Sequence, residues 1–450
     1  MKALRERLIA DGVHSLLVQF TDVHGVAKGK LVPLAHLDDV LTLGTGFCGA
    51  AIAGTALPRT GPRADYMARG AASTACALPW LPGVARIVAD GFVAGDPFEA
   101  CPRQVLKRAV ARLAEQHWSL HVGIEPEFFL LRQVEGRWHP ADAAARVSDA
   151  SHDVNSLLRQ MPFLRELQEA LEACGLDVMQ LGQRAAQGQY EVKFAFADVL
   201  DTADQLMLFK LAAQAAAERH GMGLSMAAKP FVDQPGSGMH CHVSLWQGRK
   251  DNQRNLFVPH KADGSIDTGS ALSPLGRQFI AGMLAHAPAL TALAAPSIDS
   301  YARVAAGGVP CGAPWATTAI AQGRNNRTAL VRTLHGRFEW RAPDASANPY
   351  LVLAGLIAAG LDGVERELDP GPDCDDDLFA LAPAQIRERG IALLPPSLAE
   401  AVDALEADAT ICGALGDTLT GEFIKLKRAE HAAQPREGNT ADPQRHLTSR

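Results

Sequence analysis

Four segments of the chain each carry functional side chains spaced two residues apart. They are GIEPEFFL with Glu125 and Glu127, GQYEVKF with Gln189 and Glu191, GSGMHCHVSLW with His240 and His242, and GRFEWRAPD with Arg337, Glu339 and Arg341. Because side chains alternate along a β-strand, residues two apart point to the same face. One sheet could therefore direct carboxylates, two imidazoles and several guanidinium groups into a single cavity.

These residue types favour chemistry that depends on a divalent metal ion. Carboxylates together with histidine are ligands for Mg²⁺ or Mn²⁺. Phe128 and Phe129 after the first pair, and Tyr190 and Val192 around Glu191, indicate that these acids are buried, which is costly without a cation. A solvated strand face or a satisfied core histidine explains any one segment taken alone. Four such segments together favour a metal site.

Five arginines lie within the 18 residues from 324 to 341, with no lysine and a single acid among them. They are Arg324, Arg327, Arg332, Arg337 and Arg341. A solvated basic face usually mixes lysine with arginine, whereas guanidinium groups alone suit bidentate binding of phosphate and carboxylate oxygens. The pattern predicts an anionic, phosphorylated substrate.

The bulk composition is that of a globular enzyme. A chain of 450 residues exceeds the usual size of one hydrophobic core, so two domains are expected. A formal charge of -7 argues against nucleic acid as the main partner. Eight cysteines spread singly indicate reduced thiols, and neither a signal peptide nor an apolar run of membrane-spanning length is found. We expect a cytoplasmic protein without a membrane segment.

The pattern of predicted helices and strands changes near residue 100. Residues 1–100 predict a small domain dominated by strands, with a helix over the first 13 residues and a loop over 43–75. Residues 101–436 mix helices and strands without a regular βαβ alternation, which favours an α+β domain with an antiparallel sheet. One of its predicted helices spans 153–174. Residues 437–450 are polar and aperiodic, and predict a loose tail.

The ordered motifs resemble those of the glutamine synthetase family. They are GIEPEFF, GQYEV, KPF at 229–231, GSGMHCHVSL, SYARV at 300–304, NRTALVR at 326–332 and RFEWRAPDASANPY at 337–350. The early QFTDVHGVAKGKLVP is similar to the N-terminal domain of that family. The resemblance implies an N-terminal β-grasp domain and a catalytic domain with a curved antiparallel sheet. It also implies self-association, commonly as a dodecamer of two hexameric rings.

The resemblance further implies two Mg²⁺ or Mn²⁺ ions and the residues that bind them. Glu127 and Glu191 would bind the metal nearest glutamate. Glu125, His240 and Glu339 would bind the metal that bridges the phosphates of ATP, the co-substrate.

The resemblance assigns six more residues to the substrates: Gly236, Arg303 and Arg341 to glutamate, and His242, Arg327 and Arg332 to ATP. Arg303, Arg327 and Arg341 would be the catalytic residues. The implied reaction has two steps. The γ-carboxylate of glutamate attacks the γ-phosphate of ATP, and an amine then displaces phosphate from γ-glutamyl phosphate.

Two departures from the family pattern concern the amine. Ammonia-using members carry an Asp-Gly-Ser-Ser loop, where this chain reads GTGFCGAAIAG at 44–54, with Cys48, Ala50 and Ala51. The flap segment 304–320 contains no acid, although the family places a glutamate there. A site without these carboxylates favours methylamine or another alkyl or aryl amine over ammonium. In both features the chain is similar to γ-glutamylmethylamide synthetases and related ligases.

A third departure concerns the metal nearest glutamate. The family usually has a metal-binding glutamate seven or eight residues before Glu191, where this chain has Arg184 and Gln183. Arg184 could replace the charge of one cation, or it could point away while water fills the ligand position. Phe379 stands where some bacterial enzymes have the adenylylated tyrosine, so that regulation is expected to be absent.

The sequence thus predicts an ATP-dependent ligase that joins the γ-carboxylate of glutamate to an organic amine. An ammonia-using glutamine synthetase is the first alternative. A non-catalytic structural or regulatory relative is the second, and the retained acids, imidazoles and arginines argue against it. The choice of amine, the choice between Mg²⁺ and Mn²⁺, and the ring size stay open at this point.

Overall fold

The computed structural model describes residues 1–144, 151–248, 252–305 and 316–433. Within these ranges the chain forms one seven-stranded and one eleven-stranded sheet, with helices packed around them. The predicted tail at 437–450 and residues 306–315 of the flap segment lie outside the described residues. No helix in the described ranges is both long enough and apolar enough to cross a bilayer.

The first hundred residues build the seven-stranded sheet. Its elements are α1 (Lys2–Ala10), β1 (Ser15–Thr21), β2 (Ala27–Pro33), α2 (Leu37–Thr42), β3 (Thr45–Cys48), β4 (Asp65–Gly70), β5 (Cys76–Ala77), β6 (Val84–Val93) and β7 (Asp96–Pro97). The strand order is β2-β1-β6-β4-β3, and β5 and β7 also pair with β6. Strands β1 and β6 are parallel, and the other pairs are antiparallel.

The prediction of a loop over residues 43–75 is wrong in part, because β3 and β4 lie there. In β4, Tyr66 and Ala68 are buried at alternate positions. Alanine and glycine give such an alternation little contrast in hydrophobicity, so the sequence signal is weak. Pairing with β6 supplies the missing stabilisation.

The remaining described residues form the eleven-stranded sheet and most of the helices. In chain order the elements are α3 (Pro102–Glu115), β8 (Trp118–Val134), β9 (Arg137–Pro140), α4 (Val154–Arg159), α5 (Met161–Ala173), β10 (Val178–Gln183), β11 (Gln189–Phe194), β12 (Ala197–Asp198), α6 (Val199–Arg219), β13 (Gly223–Ser225), β14 (Met239–Gln247), β15 (Arg254–Asn255), α7 (Pro274–Ala285), α8 (Ala287–Ala294), α9 (Ile298–Ala305), β16 (Gln322–Arg324), β17 (Val331–Leu334), β18 (Arg337–Trp340), α10 (Pro349–Glu365), α11 (Pro383–Glu388), α12 (Leu398–Ala407), α13 (Ala409–Leu415) and α14 (Asp417–Ala432).

The large sheet has the order β10-β11-β8-β14-β18-β17-β16. Its pairs are antiparallel except for β16 with β17. The long strand β8 lies near the middle, where β11 and β14 flank it. The predicted α+β class with an antiparallel catalytic sheet is confirmed, and β8 and β14 run through the middle of the site described below.

One predicted helix is divided in two. The expected helix over 153–174 ends at Arg159 and starts again at Met161. Pro162 lies in the first turn of the second helix, where a missing N–H costs nothing, but it cannot continue the hydrogen bonds of the first. The proline therefore sets the break.

Helix α10 is the central helix of the core. Nearly all of its residues from Pro349 to Gly363 are buried, as its almost uniformly apolar sequence predicts. It packs tightly against α7 at Gly282, where a Cβ atom would lie 1.9 Å from the carbonyl oxygen of Ala359. Glycine is required there for the two helices to approach this closely.

A buried ionic network joins the N-terminal sheet to the rest of the molecule. Arg103, in the first turn of α3, donates from Nη1 to Asp90 of β6 over 2.6 Å. Its Nε and Nη2 donate to Asp204 of α6 over 2.9 and 2.8 Å. Buried apolar residues from both sheets also form one continuous core. The boundary near residue 100 stays a prediction, but the two parts are packed together.

A second ionic cluster holds three helices together around His286. Its Nδ1 lies 2.6 Å from Asp408, the N-cap residue of α13, and its Nε2 lies 3.0 Å from Asp362 of α10. The hydrogen bond with Asp408 and then that with Asp362 outweigh burial and raise the pKa of His286 above its usual value. The protonated imidazole is thus the form that the fold stabilises.

His286→Gln should lower the thermal stability of the protein, and the loss should depend on pH. A raised native pKa gives stability that is complete below the unfolded pKa and disappears as the pH rises through the native pKa. We expect a loss of about 3 kcal/mol near pH 6, as for other broken buried ion pairs. Thermal melts across the pH range measure it, with the exposed pair His36–Asp39 as the site of the control variant His36→Gln. A loss that stayed constant up to pH 9 would contradict this role of the protonated imidazole.

Candidate active site

The strand register brings the predicted acids and imidazoles to one face of the large sheet. Glu191 of β11 lies directly opposite Glu127 of β8. On the other side of β8, Glu125 lies opposite His240 of β14. One strand further, His242 lies opposite Glu339 of β18, which itself lies opposite Arg332 of β17. Residues directly opposite in a sheet share a face, so five strands contribute to one surface.

Glu125 and His242 form a close pair at the centre of this surface. His242 Nε2 lies 2.9 Å from Glu125 Oε1, and Lys193 Nζ lies 2.9 Å from the same oxygen. Burial by itself would raise the pKa of Glu125, but His242 and Lys193 hold it at about 2. The carboxylate is therefore ionised and available to a cation. Lys193 was missed in the sequence, although it stands two residues after Glu191, on the same strand face.

Glu339 is surrounded by one imidazole and two guanidinium groups. His240 Nδ1 lies 3.1 Å and Arg341 Nη1 2.5 Å from its Oε1, and Arg332 Nη1 donates to its Oε2 over 2.9 Å. Burial opposes ionisation, but His240 and Arg341 hold the pKa of Glu339 far below its usual range. Burial and the nearby Arg341 lower the pKa of His240.

Three of these side chains have the geometry of a divalent metal site. One ligand atom each from Glu125, His242 and Glu339 lies within 4.8 Å of the other two. Opposite ligands of a bound Mg²⁺ are about 4.2 Å apart, so small side-chain movements would suffice. The set therefore fits a divalent ion. The resemblance assigns His240 to this metal, whereas the geometry favours His242 as the imidazole next to Glu125.

Glu127 and Glu191 already have a cation between them. Arg184 Nη2 lies 2.8 Å from Glu127 Oε1, and its Nη1 lies 3.7 Å from Glu191 Oε2. Burial would raise the pKa of Glu127, but Arg184 keeps it low. Burial, opposed by Arg184 and reinforced by repulsion from Glu127, raises the pKa of Glu191 to about 7. As they stand, these two acids do not fit a metal ion, because the guanidinium group fills the place between them.

Arg303 lies against the glycines that precede β14. A Cβ atom at Gly236 would lie 2.2 Å from the carbonyl oxygen of Ala228 and 2.9 Å from Arg303 Cγ. The side chain of Arg303 is buried, and its Nη1 donates to the carbonyl oxygen of Ala342 over 3.4 Å. The backbone N–H of Gly238 donates to Glu127 over 2.6 Å, which ties this segment to the acids. Gly236 and Arg303, both assigned to glutamate by the resemblance, are thus brought together.

The other arginines differ in the number of hydrogen bonds and ion pairs that they make with described residues. Arg341 is buried, and its Nε has no hydrogen-bond partner among the described residues. Arg327 is exposed, and the structure gives it no ion pair or hydrogen bond with a described residue. Arg324 Nη1 donates to the carbonyl oxygen of Gly269 over 2.6 Å. Arg341 and Arg327 therefore keep N–H groups for an anionic ligand.

A cavity of about 400 Å³ opens beside Glu125 and His242. Phe196 and Trp246 line it, with stacked rings 6.2 Å apart at an interplanar angle of 15°. No pattern in the sequence predicted this cavity. The position of Trp246 could have been predicted from the sequence, because it lies on the same strand and the same strand face as His240 and His242. No such alternation includes Phe196. Flat aromatic walls next to acids and arginines suit a ligand with a planar base and an anionic group.

Comparisons with known proteins agree with this geometry. The family described as the catalytic domain of glutamine synthetase matches residues 99–443. A glutamate–methylamine ligase from Methyloversatilis universalis is 44% identical over 418 residues, which is 93% of this chain and 92% of the relative. A glutamine synthetase from Rhizobium leguminosarum bv. phaseoli is 35% identical over 415 residues, with 92% of each chain covered.

The structural comparison gives the same result. A solved structure described as a GmaS/ADP complex matches with a TM-score of 0.87 and 36% sequence identity, and the match covers 97% of this chain and 98% of that chain. A structure described as apo GmaS without ligand matches equally well, with a TM-score of 0.87 and 35% identity. The predicted fold and the predicted class of ATP-dependent carbon–nitrogen ligase are confirmed. The chain belongs to the glutamine synthetase family.

Proposed function

We propose that this protein is an ATP-dependent ligase that joins the γ-carboxylate of glutamate to an organic amine, with methylamine as the first candidate. The convergence of Glu125, His242 and Glu339 with buried arginines on one sheet face carries the proposal. The comparisons favour an amide ligase over an ammonia-using enzyme, since the methylamine ligase is 44% identical and the glutamine synthetase 35%.

Glu125, His242 and Glu339 are proposed to bind one divalent ion, Mg²⁺ or Mn²⁺. The three ligand atoms, two of them from acids held ionised by their neighbours, support this assignment. His240 would act through Glu339, whose carboxylate it contacts. When bound, the ion would supply positive charge that offsets the negative charge of the nucleotide phosphates.

ATP is proposed to bind with its base in the cavity beside Trp246 and Phe196. The phosphates would then extend toward Arg332, Arg341 and Arg327. Two observations support this orientation: Arg341 has an unpartnered buried Nε, and Arg327 is exposed without a described partner. Guanidinium groups in a water-poor site stabilise charge on a phosphoryl group in transfer.

Glutamate is proposed to bind at the other end of the site, near Arg303 and Gly236. Among the described residues, the buried guanidinium group of Arg303 makes one long hydrogen bond, to a backbone carbonyl, so its other N–H groups would be available to the α-carboxylate of the substrate. The glycines allow the substrate to approach the backbone closely.

The chemistry then follows in two balanced steps. An oxygen of the γ-carboxylate attacks the γ-phosphorus of ATP, the bond to the β-phosphate oxygen breaks, and ADP leaves. The amine nitrogen then attacks the γ-carbonyl carbon of γ-glutamyl phosphate, phosphate leaves, and the nitrogen loses a proton. Arg327 and Arg341 would stabilise the phosphoryl group in both steps.

An organic amine suits the acceptor side of this chain better than ammonium. The 44–54 segment carries Cys48 and small residues where ammonia-using relatives carry an acid. In the structure Cys48 ends β3 and is exposed. The acid-free part of the flap at 306–315 lies outside the described residues. Without such carboxylates, the methyl group of an alkylamine contributes to binding where ammonium offers charge alone.

A ring assembly, commonly two stacked hexamers, and a cytoplasmic location are part of the proposal.

Initial rates of phosphate release with glutamate, ATP and a panel of amines test the function. We expect kcat/KM for methylamine to exceed that for ammonium by at least about tenfold, the effect of one methyl group in a fitted pocket. A preference for ammonium would identify a glutamine synthetase. ATP and metal binding without phosphate release for any amine would identify a non-catalytic relative.

Glu339→Gln should weaken binding of Mn²⁺ and abolish ATP turnover. Loss of a residue next to a metal ligand costs about 10–100-fold in affinity, so loss of a ligand should cost more than about 100-fold. Equilibrium dialysis with Mn²⁺ measures the change. Glu365→Gln is the matched control, because Glu365 is an exposed acid paired with one arginine. Normal Mn²⁺ binding by Glu339→Gln would remove this residue from the metal site.

Arg303→Ala should raise KM for glutamate about 10–100-fold, as expected when hydrogen bonds to a charged group are lost. KM for ATP should change little, since Arg303 lies at the other end of the site. Arg112→Ala, at a half-exposed arginine paired with one acid, controls for loss of charge. A change confined to KM for ATP would show that Arg303 does not bind glutamate.

A further inference from the structure

Glu127 and Glu191 form a pair of buried acids whose mutual repulsion must be offset. They lie directly opposite each other on neighbouring strands, and their exposed fractions are 6% and 4%. Like charges directly opposite in a sheet are destabilising, and burial raises that cost because water no longer screens them. A positive charge between them, or a proton on one of them, is therefore needed in the folded structure.

Arg184 supplies this charge from the chain itself. It follows β10, and its backbone N–H donates to the carbonyl oxygen of Gln189 over 2.9 Å. This hydrogen bond fixes the backbone from which the side chain extends. Its two terminal nitrogens then reach Glu127 over 2.8 Å and Glu191 over 3.7 Å. The side chain is only 19% exposed. Lys193 adds a second, weaker contact with Glu191 over 3.9 Å.

A metal ion and this guanidinium group exclude each other. A Mg²⁺ ion bound by both acids would lie about 2.1 Å from an oxygen of each, in the space that the guanidinium group now fills. Two positive groups at that separation repel, and guanidinium does not lose its proton at any working pH. In the described ranges, the only group of three or more metal-type ligand atoms is Glu125, His242 and Glu339, without either acid of this pair.

We propose that Arg184 is a built-in cation that takes the place of a divalent ion between Glu127 and Glu191. The divalent ion is then confined to the other end of the site, at Glu125, His242 and Glu339. This inference rests on the proposed function for the identity of the site, and it changes the number of metal ions the site holds. A fixed guanidinium group stays bound at low metal concentration, so this end of the site does not depend on free Mg²⁺.

The test counts Mn²⁺ per chain by equilibrium dialysis in the full-length protein, without ATP or glutamate. We expect Arg184→Glu to bind one more Mn²⁺ per chain than the unchanged protein, because three acids then meet where two acids met a guanidinium group. Crystals of both proteins soaked in Mn²⁺ should show anomalous scattering between Glu127 and Glu191 in the variant only. Arg165→Glu, at an exposed arginine paired with one acid, makes the same charge change elsewhere and should add no ion.

Arg184→Gln provides a second variant in case the glutamate variant does not fold. It removes the charge with little change in size, so the freed pair of acids should gain a weaker Mn²⁺ site. A Mn²⁺ ion between Glu127 and Glu191 in the unchanged protein would overturn the proposal, as would Arg184 variants that fold and gain no ion. Because these counts need no substrate, they stand apart from the amine measurements. A ligase with two such ions would refute this inference and leave the proposed function intact.

Discussion

The need to neutralise buried carboxylates on one sheet face governs the organisation of this molecule. Glu125, Glu127, Glu191 and Glu339 are brought together by strand register, and none of them could stay ionised there alone. Each has a nearby cation or imidazole: Lys193 and His242 for the first, Arg184 for the middle pair, and His240, Arg332 and Arg341 for the last. The site is therefore charged and ordered before any ligand binds, which favours electrostatic catalysis.

The fold around this face makes such burial tolerable. Strand β8 is long enough to pair with β11 on one side and β14 on the other, so the acids of one strand meet partners from both neighbours. The apolar side chains on the opposite face of β8, such as Phe128 and Leu130, join the continuous core. Hydrophobic burial on one face thus stabilises the strands that carry charge on the other.

The two ends of the site differ in how their charge is balanced. At one end, Glu125, His242 and Glu339 bring three ligand atoms within 4.8 Å of one another beside an aromatic cavity, and Lys193, Arg332 and Arg341 contact the two acids. At the other end, Arg184 closes the gap between two acids. On the assignments proposed above, this site holds its positive charge partly as exchangeable metal and partly as a side chain.

The sequence by itself determined the α+β class, the family and which side chains share one face of a strand, because alternation and motif spacing are local properties. It also identified Arg184 as a departure, but left open whether the side chain replaces a cation or points away. Only the tertiary structure decided where this side chain lies, because its position depends on where β10 and β11 bring a flexible arginine relative to two acids. The same holds for His242 beside Glu125, for Lys193 and for the aromatic cavity, which arise from cross-strand distances. The loop expected over 43–75 failed for a related reason, because pairing with β6, distant in sequence, creates the strands found there.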